Sequence, residues 1–163
     1  MILVDFKDFD IRRLPSRKRD ANVKINPLAN PWPIGEVAMS GKSPSLDIVE
    51  QMIAGWQALD GQAVAACFTE DGVWHNMPYA PIAGRDAIAV AVGRFLSGMT
   101  ACRFEVLHSG ETAEGVVMNE RVDIFTRTDG HEQRFAVAGV FEVQAGLIRN
   151  WRDYFDSAIM SQA

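Results

Sequence analysis

The chain has 163 residues, 48% hydrophobic and 23% charged, the balance of one ordinary globular domain with a sizeable core. Its net charge of −5 argues against nucleic acid or an anionic membrane surface as the main partner. Two cysteines, Cys67 and Cys102, are too few for a disulfide framework and read as buried free thiols in a reducing compartment.

Residues 1–42 read as a largely irregular N-terminal extension. They hold eight Lys and Arg against five Asp and Glu, while the remainder of the chain is acid-rich. The basic run RRLPSRKR lacks interleaved aromatics, so it reads as a solvated arm and not as a nucleic-acid site. Pro27, Pro31 and Pro33 interrupt any long period. The opening MILVDFKDFDIRR is not a basic segment followed by a long apolar one, and no apolar run nears the roughly 20 residues of a membrane span. A cytoplasmic location without membrane contact is therefore expected.

A single domain is expected over 43–163. Leu46, Val49, Ile53, Trp56 and Leu59 recur at helical spacing, with an N-cap in the Ser43-Pro44-Ser45 region. Asp60-Gly61 ends that helix, and Val64, Cys67 and Phe68 predict a second, short one. Glu70-Asp71-Gly72 predicts a turn into an extended piece, Val73 to Met77, closed by Pro78 and Pro81. A third helix is predicted from Arg85 to Ser97, with Gly98 as its C-cap.

After Gly98 the period falls to two. Strands are predicted at 101–109, 116–127, 133–143 and 147–156, separated by short turn signals. Short connections imply antiparallel neighbours. Helices followed by strands give an α+β class: a curved, mixed, mainly antiparallel sheet packed against N-terminal helices, a cone-shaped roll.

Strand alternation turns the pattern into chemistry. In VVMNERVDIFTR, Val117, Asn119, Arg121, Asp123 and Phe125 share one face. In LIRNWRDYFD the same count groups Leu147, Arg149, Trp151, Asp153 and Phe155. A carboxylate flanked by aromatics must be paired if it is buried, and Arg121 is the obvious partner for Asp153. On pattern alone a structural ion pair is the commoner reading. Two acids sharing one arginine, however, suit proton traffic.

In VWHNMP, Trp74 and Asn76 share a face, and Asn76 can both donate to and accept from a water. His75, His108 and His131 show no ligand spacing, so no metal is expected. Serine-elbow, phosphate-loop and zinc-protease motifs are absent from the sequence.

Three segments, WHNMPYAPIAGRDAI, NERVDIF and GVFEV…GLIRNWRDYFD, carry a resemblance to the limonene-1,2-epoxide hydrolase family. That family lies in the nuclear-transport-factor-2-like and ketosteroid-isomerase-like fold group. The resemblance spans roughly residues 45–157, and NERVD with WRDYFD is its specific part. It implies an epoxide hydrolase that adds water to an apolar epoxide in one step. Asp123 is then the general acid, Asp153 the general base on water, and Arg121 the bridge between them.

The resemblance further implies a homodimer, no cofactor and no covalent intermediate. Asn76 matches an asparagine that positions the water. Trp74 stands where the family has a tyrosine that shares in positioning that water, so the resemblance places Trp74 at the water site too, although indole offers a donor but no acceptor. Two other readings stay open at this point. One is an epoxide-opening cyclase or isomerase on the same fold. The other is a non-catalytic ligand-binding dimer module with a buried ion network.

Overall fold

A computed structural model describes residues 43–158. The expectations for the extension at 1–42 lie outside the described residues. Three helices, α1 (Pro44–Gln57), α2 (Gly61–Ala66) and α3 (Arg85–Leu96), pack on one six-stranded sheet. Its strands are β1 (Phe68–Met77), β2 (Ile82–Ala83), β3 (Met99–Glu111), β4 (Val116–Arg127), β5 (Glu132–Gln144) and β6 (Leu147–Phe155). They lie in the order β2-β1-β6-β5-β4-β3.

The four C-terminal strands form the predicted antiparallel meander. β1 joins it by pairing in parallel with β6, which makes the sheet mixed. The β5–β6 turn needs only Ala145 and Gly146, both at positive φ (50° and 77°), as a type I′ hairpin requires.

α1 forms where its period places it. Ser43 accepts from the Leu46 amide as N-cap, and Pro44 stands in the first turn. Ile48, Val49, Met52, Ile53 and Trp56 are buried against the sheet, with Leu46 and Leu59 at the edge of the core. α1 stops at Gln57, with Ala58 as its C-cap and Leu59 at positive φ (56°), and Asp60 opens α2, accepting from Gln62 and Ala63.

Three local expectations are corrected. Phe68 is not helical: it opens β1 and pairs with Ile148. The predicted turn Glu70-Asp71-Gly72 lies inside that strand, where the register with β6 shifts between Phe68 and Val73. The irregularity absorbs the turn-forming residues without reversing the chain. Ser97, not Gly98, caps α3, in right-handed helical conformation, so the glycine's conformational freedom is not used there.

Among the described residues no helix is long and apolar enough to cross a membrane.

Candidate active site

Cross-strand register aligns the inner-face residues of β4, β5, β6 and β1 in rows. One row runs Val117, Phe141, Trp151, Trp74. The next runs Asn119, Gly139, Asp153, Asn76. Beyond it come Arg121, Val137 and Phe155, then Asp123 opposite Phe135. Polar side chains are thus inserted between layers of aromatic ones.

Arg121 is the centre of the site. Its Nε donates to Asp123 Oδ1 at 2.8 Å and its Nη2 to Asp153 Oδ2 at 2.6 Å. Nη2 also reaches Asp123 Oδ2 at 3.1 Å, so Asp123 is held by two prongs of the guanidinium. Nη1 donates to Asn119 Oδ1 at 2.8 Å. Arg121 is 1% exposed, and Asp123 and Asp153 are each 5% exposed. The guanidinium carbon lies 5.1 Å from the centroid of Phe104 and 5.7 Å from that of Trp151.

The absence of a side chain at Gly139 makes this bridge possible. β4 and β6 are both neighbours of β5, so Arg121 must cross roughly 10 Å of sheet to reach Asp153. It does so over Gly139. A methyl group there would stand 2.3 Å from Arg121 Nη1 and 2.7 Å from Asn119 Oδ1. Nη1 cannot retreat, because Asp123 and Asp153 hold the rest of its guanidinium, and Asn119 Oδ1 is tied to Nη1 in turn. Gly139→Ala is therefore expected to break the Arg121–Asp153 contact and lower the thermal midpoint by several degrees. It should also depress any activity that depends on the contact. Calorimetry and a structure of the variant check this, and an undisturbed Arg121 at wild-type stability would contradict it.

Burial raises both carboxyl groups above their ordinary range. Asp123 is pushed up to about 6 by burial, opposed by Arg121 and assisted by the charge of Asp153. Asp153 is raised by burial against the opposing pull of Arg121 and of the Trp151 N–H. For Arg121 burial works against the charge, but Asp153 and Asp123 outweigh it and its pKa rises. The arginine stays cationic while its two acids are poised to share a proton.

Asp123 and Asp153 line a hollow with Asn76, Trp74 and an almost wholly aromatic wall that includes Trp56, Phe104, Phe125 and Phe135. It opens to solvent at its mouth and encloses about 520 Å³ of empty space, the mouth included. The Trp74 indole N–H donates to Asn76 Oδ1 at 3.1 Å, and the Trp151 N–H donates to Asp153 Oδ1 at 2.6 Å.

All five candidates from the sequence, Arg121, Asp123, Asp153, Asn76 and Trp74, thus meet on one face. Arg149 does not, although alternation grouped it with Asp153. It is the extra residue of a bulge, since Glu142 pairs with Asn150 and Val143 with Ile148. Its exposed side chain bonds Gln144 outside the hollow.

Asn119, Gly139 and Trp151 belong to the site but carried no role in the sequence reading. A glycine amid AVAGVFEV is the one signal that pointed there, as a mark of close approach to a strand. Cys102 is buried and its thiol is pushed up to about 12 by burial and by the charge of Asp123, so it supplies no thiolate. His75 bonds the Tyr79 carbonyl oxygen and His108 pairs with Glu120, both away from the hollow.

The SnoaL-like domain family matches residues 49–151, the segment that builds all of this except Asp153 and its last neighbours. The chain belongs to the SnoaL-like family. This SnoaL-like chain is 34% identical over 109 residues to the epoxide hydrolase EphG of Mycobacterium tuberculosis, covering 66% of this chain and 70% of that protein. The solved structure of an M. tuberculosis LEH-like epoxide hydrolase is 29% identical, with a TM-score of 0.64. The match covers 73% of this chain and 87% of that one. A hypothetical protein with a ketosteroid isomerase-like fold from Catenulispora acidiphila shares the fold alone, at 18% identity and a TM-score of 0.63, over 71% of this chain and 91% of the other.

Proposed function

We propose that this protein is an epoxide hydrolase that adds water to an apolar epoxide in one step to give a vicinal diol. The observation that carries the reading is the pair of buried carboxyl groups sharing one guanidinium at the wall of an aromatic hollow. Homology to EphG supports the same chemistry.

An epoxide oxygen leaves poorly until it is protonated, so ring opening needs an acid at that oxygen and a base on water together. In this reading Asp123 enters protonated and Asp153 ionised. A water between Asp153 and Asn76 loses a proton to Asp153 as its oxygen bonds to an epoxide carbon. The ring C–O bond breaks, and its electron pair takes the proton of Asp123. Asp153 is left protonated and Asp123 ionised, so the negative charge has crossed the guanidinium of Arg121. That cation touches both acids and stabilises the charge at either end. Return of one proton resets the pair.

The aromatic wall suits an apolar epoxide and keeps bulk water from competing with the bound one. The reading includes a homodimer, supported by the exposed Met118 and Tyr154 on the outer face of the sheet.

A general acid must hold its proton. Because Asp123 lies at about 6, kcat/KM is expected to decline as pH rises through that value. Stability follows the same sign. A carboxyl raised from 3.8 to about 6 contributes fully below its unfolded pKa, and that contribution is lost as pH rises through about 6. A rate profile and urea unfolding between pH 4 and 8 check both.

The function itself is tested by product analysis with cyclic, terpene and aryl epoxides. Diol formation above the uncatalysed rate supports the reading, and tight binding without product overturns it in favour of a ligand-binding module.

A further inference from the structure

Trp74 and Trp151 form a matched pair. They are register partners on the parallel strands β1 and β6, and their rings stack at 5.6 Å with 21° between planes. Two residues further along the same strands, Asn76 and Asp153 are also register partners. Each indole N–H donates to the polar residue two positions on, Trp74 to Asn76 Oδ1 and Trp151 to Asp153 Oδ1. The motif Trp-x-Asn on β1 thus mirrors Trp-x-Asp on β6.

Indole N–H is a donor only, so the atom of Asn76 that faces Trp74 must be its oxygen. The carboxamide is thereby fixed, with its NH2 as the end turned away from Trp74. Among the described residues nothing accepts from that NH2, although Asn76 lines the hollow beside Asp153. We infer that Trp74 is a positioning residue that acts through Asn76 and never touches the nucleophile.

The Asn76 NH2 then donates to the oxygen of the attacking water, while Asp153 accepts that water's proton. One donor and one acceptor orient a lone pair of the water toward the epoxide carbon. This gives the indole a different role from the water ligand that the resemblance implies at this position: it orients the ligand instead of being one. The inference rests on the proposed hydrolysis for its catalytic consequence, but the clamp itself is a property of the resting protein.

The test is a double-mutant cycle of Trp74→Phe and Asn76→Ala, with kcat and KM measured on an epoxide that the wild type turns over. Trp74→Phe keeps an aromatic ring against Trp151 and removes only the N–H donor. It is expected to lower kcat about tenfold, the scale of one hydrogen bond, with little change in KM. In the Asn76→Ala background the same change should add almost nothing. An equal loss in both backgrounds, or a wild-type kcat in Trp74→Phe, overturns the inference.

A readout without substrate separates this from failure of the proposed function. The indole N–H resonance of Trp74, assigned by its loss in Trp74→Phe, should move upfield in Asn76→Ala. If no epoxide is hydrolysed, the proposed function falls and this shift alone decides the clamp. An unmoved resonance overturns it.

Discussion

Arg121→Met is expected to destabilise the domain by about 3–5 kcal/mol at neutral pH and to abolish turnover. The substitution preserves much of the side-chain volume but removes the only cation in contact with Asp123 and Asp153 among the described residues. Two carboxyl groups, each 5% exposed, are then left facing one another in an aromatic surround. Asn119 Oδ1 also loses its donor. The variant has one escape, which is to protonate both acids. Its deficit should therefore shrink as pH falls, because neutral carboxyls need no counter-ion. Urea unfolding at pH 4 and pH 8 reads this directly: the gap to wild type narrows at pH 4. A deficit that did not vary with pH would mean that packing, not charge, is what Arg121 supplies.

Asp153→Asn is expected to keep the fold and lower kcat by about 10²–10⁴. Asparagine is nearly isosteric, and its oxygen still accepts from either Trp151 or Arg121, so the hollow stays closed around it. What it cannot do is take a proton from water. Asp123→Asn should lose activity on a similar scale for the opposite reason, since a carboxamide supplies no acid proton. The two variants differ in one respect. With Asp153 neutral, Asp123 loses a charge that raises its pKa and keeps the guanidinium that lowers it, so its pKa is expected to fall. Steady-state kinetics with matched melting temperatures check both variants, and more than a few per cent of wild-type kcat in either removes it from the assigned role.

The site was legible where a strand runs without interruption. β4 keeps its period from Val116 to Arg127, so the count that joined Asn119, Arg121 and Asp123 on one face is the face the fold buries. Trp151 with Asp153, and Trp74 with Asn76, were equally plain, each pair being two residues apart. Alternation failed at Arg149 because a single inserted residue reverses the phase, and nothing local in LIRNWRDYFD marks the bulge.

What sequence order could not show is the lateral register. Gly139 matters only because it lies between Asn119 and Asp153 on neighbouring strands. The Trp74–Asn76 clamp depends on side-chain orientation, which alternation does not specify. The parallel pairing of β1 with β6 joins residues 77 to 80 positions apart in sequence, a non-local contact that no turn signal announces. The helices were nearly right throughout, since capping and apolar spacing act within a few residues.

The central claim, that Arg121, Asp123 and Asp153 hydrate an epoxide directly, is tested most sharply by one turnover in ¹⁸O-labelled water with enzyme in excess over epoxide. Direct attack predicts that the diol of that first turnover carries one ¹⁸O and that Asp123 and Asp153 remain unlabelled. An unlabelled first-turnover diol with ¹⁸O in either carboxyl group would instead mean attack by the protein and a covalent ester, contradicting the account.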